Sequence, residues 1–315
     1  VSRGDEQARR AFPRRAVPSG GRDQTRTVLD QAAHENFPVA PFFLPRAWRA
    51  DLMAVYGFAR LVDDIGDGDL APGGGDAVLL GLDRDRYDDR PALLDALEAD
   101  LYRCFGDRAP GPSHPLMRRL GPTVRRCGLT PEPFLGLIEA NRQDQRISRY
   151  GTYDDLVGYC ELSANPVGRL VLGITGTTSP ERIRYSDAIC TALQIVEHIQ
   201  DVAEDLARDR IYLPAEDMKR FRVTEADLAA STGGASVRAL IAFEAERALE
   251  LLNEGTPLVG SVHGRLKLLL AGFVAGGRAA LQAVATADHD VLPGPPKPTK
   301  LSLLREMRAT LRREG

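Results

Sequence analysis

No apolar run in this 315-residue chain approaches the ~18–20 residues that cross a membrane, and none near its start matches the ~7–15-residue core of a secretory signal. A cytoplasmic location is the resulting expectation. Cysteine is sparse: Cys104, Cys127, Cys160 and Cys190 stand far apart, with no CxxC pair and no clustered histidines. That spacing argues against a zinc site or a disulfide framework and predicts reduced core thiols. The formal charge is only -3, so no global field attracts nucleic acid. Alternating β-branched runs are few, and no fixed-period repeat is present. The glycines at 73–75 fall in a loop pattern and Gly276-Gly277 in a helical one. Neither forms the strand-to-helix turn that cradles a dinucleotide, so no NADPH is expected.

What the chain does have is apolar residues at helical spacing. With 43% hydrophobic residues it can bury one large core. The predicted class is all-α, a single large helical bundle. Helices are expected over 45–67, 91–105, 115–127, 131–149, 153–176, 180–210, 237–253 and 263–286. The Gly/Asp-rich stretch 68–90 reads as a long loop, and Asn165-Pro166 predicts a kink, since proline removes a backbone donor. Residues 1–26 hold seven arginines against three acids and read as a disordered basic arm. The helical domain then runs over 27–292. A Pro-rich linker and basic amphipathic tail follow over 293–315, where Leu304, Met307 and Leu311 share a face among Arg305, Arg308, Arg312 and Arg313. Such a tail could meet an anionic membrane or dock on the bundle.

Two acidic stripes stand out against this apolar background. Tyr56, Arg60, Asp63 and Asp67 recur at steps of four, three and four, with Asp64 beside them. Glu197, Asp201 and Asp205 recur every fourth residue, with Glu204 alongside, at the end of a helix that begins strongly apolar. Like charges on one helical face repel unless a cation offsets them. Oxygen donors without histidine or cysteine favour a hard cation, and magnesium typically takes one or two carboxylates plus substrate phosphates. Either stripe alone could be a solvated surface. Two on apolar helices of one domain point to a diphosphate–metal site.

The segments ENFPVAPFFLP, YGFARLVDDIGD, YCELSANPVGRLV and LQIVEHIQDVAEDLARDRIYLP resemble the squalene and phytoene synthase family over residues 29–287. ENFPVA and SANPVG are similar to its bacterial hopanoid-pathway branch of squalene and hydroxysqualene synthases. The resemblance implies the isoprenoid synthase helical bundle with a central cavity and two or three Mg2+ ions held with the diphosphate. Asp63, Asp67, Asp201 and Asp205 would face the metal, joined by Asp64, Glu197 and Glu204. Tyr56, Arg60 and Arg210 would flank the diphosphate. Phe37, Tyr159, Val167 and Gly168 would line the hydrocarbon tunnel, with Gln194 also touching substrate. Ser163 and Asn165 stand where relatives have apolar or small residues, and could hold a water.

The implied reaction is ionisation of presqualene diphosphate with water capture, giving hydroxysqualene. Alternatives are condensation of two farnesyl diphosphates to presqualene diphosphate or squalene, prenyl transfer to another acceptor, and a non-catalytic isoprenoid-binding paralogue. Implied partners are the isoprenoid diphosphate, neighbouring hopanoid-pathway enzymes and a membrane surface met by the tail, with no nucleic acid.

Overall fold

The computed structural model describes residues 40–106 and 110–314. The 1–26 arm and Phe37 lie outside the described residues. Helix α1 (Arg46–Asp67) forms because Leu52, Val55, Phe58, Val62 and Ile65 make one continuous buried face. It stops at Gly68, whose φ of 76° returns its amide to the last carbonyls, and a side chain there would strike Arg90.

Residues 68–90 are not one loop as expected: they contain a short helix, α2 (Gly75–Leu79), and a 3-10 turn at Arg84–Arg86. Helix α2 is too short to show a period, and tertiary contact holds it. Buried Asp76 pairs with fully buried His114 at 3.1 Å. Helices α3 (Arg90–Phe105), α4 (Pro115–Cys127) and α5 (Glu132–Asp144) then pack around α1.

The expected kink is a full break. Helix α6 (Tyr153–Ser163) opens with a Thr152/Asp155 capping box, and α7 (Asn165–Ile174) starts afresh beyond Ala164. The long helix predicted over 180–210 also divides. Helix α8 (Pro180–Gln200) ends at Asp201, whose φ of -102° and ψ of 14° leave the helical region, and α9 (Val202–Ala207) follows. Amide bonds from Asp201 to Glu197 and from Asp205 to Asp201 persist, so the four-residue spacing survives the bend.

The chain continues through α10 (Ala215–Phe221), α11 (Glu225–Leu228), α12 (Ala235–Gly255), α13 (Pro257–Gly260), α14 (Gly264–Thr286) and α15 (Lys300–Arg313). Among the described residues there is no strand, only one isolated bridge between Arg149 and Ile211. The fold is thus an all-α bundle. All four cysteines are free, with Cys104 and Cys160 buried.

Helix α14 corrects the expectation about apolar runs, since an 18-residue window within its 23 residues reaches a mean hydropathy of 1.6, long and apolar enough by composition to span a membrane. It packs instead as a core helix, with 67% of that window buried. Its first half joins the hydrophobic cluster around α1 and its second half the cluster around α8 and α12.

The tail helix α15 docks on α14. Met307 and Leu311 pack against the core while Leu301 and Leu304 stay exposed, so the three-residue apolar face is divided. Buried Thr310 accepts a hydrogen bond from Arg278 at 3.1 Å, and Arg278 also donates to Asn253 and Thr256. Truncation after Leu292 should therefore lower the melting temperature by about 5 °C or more, from ~1.5–3 kcal/mol for a charged hydrogen bond plus lost packing, at ~2–4 °C per kcal/mol. An unchanged thermal melt by circular dichroism would contradict that docking.

Candidate active site

The carboxylates of α1 meet polar groups of α5 because α1 has no side chain at Gly66. A Cβ there would collide with Asn141, whose side-chain amide donates to Asp63 at 3.2 Å. The Gly66 carbonyl accepts from Gln145 at 2.9 Å and from Arg90 at 3.2 Å, which fixes the end of the helix. Asp63 is accessible to solvent yet surrounded by protein, as expected of a group lining a recess. That enclosure, with Asp67 nearby, raises its pKa to about 7 despite the Asn141 hydrogen bond. Asp64 is also raised by burial, against the pull of Arg60.

Arg60 pairs with Asp64 at 2.7 Å, but its buried Nε has no partner. An unsatisfied buried guanidinium N–H is costly and suits an incoming anion. Half-buried Tyr56 lies within electrostatic reach of it.

The second ladder is joined to the first by two arginines. After α9 the chain turns through Asp209 at a φ of 59°, with the Arg210 amide bonded to the Asp205 carbonyl at 2.9 Å. This turn presents Arg210 to Asp67 at 3.0 Å and Arg208 to Asp67 at 3.8 Å. Together with Asp69 and Arg90 these residues line a recess of about 250 Å³. Asp205 is raised to about 7 by burial and then by Asp201, only partly offset by Arg210. Asp201 is raised by burial and by Glu204. Glu204 itself is exposed and tied to Arg208 at 3.4 Å, and Glu197 is exposed.

Among the described residues, no three histidine, cysteine or acidic groups already converge on one point. The donor chemistry still fits a hard divalent cation. The donors are all carboxylates, and two of them are held near neutral pKa by burial and mutual repulsion, so a cation would draw ligands from each ladder and complete its shell with substrate oxygens and water.

Beside the arginines lies a group that sequence reasoning missed. Asp144, at the end of α5, accepts from the Tyr159 hydroxyl at 2.8 Å and from the Tyr212 hydroxyl at 3.4 Å. Burial raises its pKa to about 6, against those hydrogen bonds and Arg210. Tyr150, Tyr159, Tyr212 and His198 form one buried aromatic cluster, with His198 stacked on Tyr212 at 3.8 Å. Burial lowers the His198 pKa to about 3, so its ring is neutral. Gln194 contacts that ring at 3.3 Å. The available signal was NRQDQ at the end of α5, where Asn141, Asp144 and the following Gln145 succeed a stretch that buries Phe134, Leu137 and Ile138.

Three further expected site residues are placed as follows. Gly168 faces α8, where any side chain would strike Ser186 and Cys190, so it serves close helix packing. Val167 on α7 is 42% exposed. The Asn165 side chain makes no cap bond at the break, and its amide oxygen accepts from Thr191 at 3.0 Å. The Ser163 hydroxyl, by contrast, is buried without a partner.

A helical bundle with two acidic ladders joined by arginines beside an apolar, aromatic interior defines a prenyl diphosphate enzyme class. Residues 31–305 match the squalene/phytoene synthase family, and the chain belongs to that family of prenyltransferase-type enzymes, which act on isoprenoid diphosphates and generally use a divalent metal. It is 32% identical to the hydroxysqualene synthase of Zymomonas mobilis over 73% of this chain and 72% of that one. It is 30% identical to the phytoene synthase of Mycobacterium tuberculosis over 73% and 71%. Among solved structures it resembles squalene synthase HpnC from Alicyclobacillus acidocaldarius, at 41% identity and a TM-score of 0.72, covering 88% of this chain and 96% of that one.

Proposed function

We propose that this protein ionises presqualene diphosphate and captures the cation with water to give hydroxysqualene. The observation that carries the proposal is the pairing of Asp67 with Arg210 and Arg208 across the two ladders, next to the Asp144-anchored aromatic cluster. Similarity to proteins named hydroxysqualene synthase supports this branch of the chemistry.

In this reading the arginines and the unpartnered Arg60 Nε donate to the diphosphate oxygens as charge builds on them. Asp63, Asp67, Asp201 and Asp205 would hold magnesium, which supplies further positive charge to the departing diphosphate. The hydrocarbon cation then lies against the tyrosine rings, whose faces attract positive charge. Asp144 fixes Tyr159 and Tyr212 by their hydroxyls, and neutral His198 adds no competing cation. The apolar residues behind the cluster, such as Ile195, Ile199 and Leu240, exclude bulk water.

A direct test incubates the protein separately with presqualene diphosphate and with farnesyl diphosphate, each with and without NADPH, followed by product mass spectrometry. Hydroxysqualene from presqualene diphosphate alone is the expected result. Presqualene diphosphate formed from farnesyl diphosphate as the sole product would favour the condensing reaction instead.

A further inference from the structure

The break between α6 and α7 concentrates unmet polarity inside the bundle. Ser163 is the last residue of α6, one turn beyond Tyr159, and so lies on the same helical face. A serine near a helix end commonly bonds back to a carbonyl of its own helix. Here the Ser163 Oγ is fully buried with no partner at all. Among the described residues the only other such atom is the Arg60 Nε, in the diphosphate site. The preceding carbonyl, on Leu162, is deprived of its usual helical donor because residue 166 is a proline. Gly136 of α5 lies against the same spot: a side-chain carbon there would stand 3.1 Å from Pro166 and 3.5 Å from the Leu162 oxygen.

A buried hydroxyl without a partner costs stability, so it persists where a ligand satisfies it. Buried water is the smallest such ligand and needs polar partners rather than an apolar void. The Asn165 amide oxygen already accepts from Thr191, whereas the Ser163 hydroxyl has no partner and the neighbouring Leu162 carbonyl lacks its helical donor.

We infer that Ser163 is a positioning residue that holds the water captured by the substrate cation, and so sets the ratio of alcohol to hydrocarbon product. The inference rests on the presqualene diphosphate reading above. Loss of diphosphate leaves a carbocation, and a lone pair of the water oxygen forms the new C–O bond. One water proton passes to the released diphosphate, and no electron donor is required. Without the held water the cation instead loses a proton from carbon, also to diphosphate, and ends as a polyene.

The test compares wild type, Ser163→Ala and Ser163→Thr on presqualene diphosphate in heavy-oxygen water, reading labelled alcohol and hydrocarbon against diphosphate released. Ser163→Ala is expected to cut the alcohol share about tenfold, whereas Ser163→Thr, which keeps a hydroxyl, retains it. Melting supplies a readout independent of turnover. If the hydroxyl were simply unsatisfied, Ser163→Ala would raise the melting temperature, while loss of a bound water predicts no rise. Wild-type alcohol with an unchanged share in Ser163→Ala overturns the role of Ser163 and leaves the reaction standing. A wild type that releases diphosphate without making alcohol overturns both.

Discussion

Replacing Asp63 or Asp205 with asparagine is expected to lower turnover by ~100-fold or more while making the metal-free protein more stable. The two effects have one cause. Each carboxyl is enclosed beside other acids and has its pKa raised from 3.8 to about 7. Between those values the unfolded chain has released its proton and the folded protein retains it. Folding stability therefore falls as pH rises through that window and is lowest above it. The metal-free wild type should accordingly melt higher towards the lower end of the window than above pH 7. Each asparagine variant should lose its own share of that dependence, as it removes one of the charges that folding disfavours. A divalent cation that restores wild-type stability above the window should have little effect on the variants. Calorimetry with and without chelator reads both effects. Full turnover in the presence of chelator would remove the metal from this account.

Arg210→Gln is the second large effect, expected to reduce kcat/KM by ~10²–10³-fold. Arg210 is the closest cation between the ladders, donating to Asp67 at 3.0 Å and offsetting the burial of Asp144 and Asp205. Its loss leaves Asp67, Asp144 and Asp205 without the cation that offsets them. Arg210→Lys keeps the charge but loses the planar fork that can reach an acid and a phosphate oxygen together, so it should recover only part of the activity. Steady-state kinetics on the two variants checks the order, and equal activity of wild type and Arg210→Gln would refute the role.

Much of this arrangement could be read from spacing alone. The ladders were legible because carboxylates every three or four residues are conspicuous on helices that also bury Phe58, Ile65, Ile195 and Ile199. The bundle was legible for the same reason, from long apolar periods. Asp144 escaped because a single acid near the end of a helix is ordinary in sequence. Its meaning comes from Tyr212, 68 residues further on, and from Arg210, whose reach depends on a left-handed turn at Asp209. Asn141 escaped likewise, since its contact with Asp63 exists only where Gly66 lets two helices approach. Gly168 was legible only as part of a motif: that its missing side chain admits Ser186 and Cys190 emerges from the packing of two helices. The short helix α2 was invisible because five residues carry no period, and a buried Asp76–His114 pair rather than local propensity holds it.

The most direct measurement is a single incubation of the purified protein with presqualene diphosphate and magnesium, without NADPH, in heavy-oxygen water. The expected product is hydroxysqualene carrying one solvent-derived oxygen, formed in step with diphosphate and abolished by chelator. Squalene that appears only when NADPH is added, or an alcohol without the solvent label, would contradict capture of the cation by water.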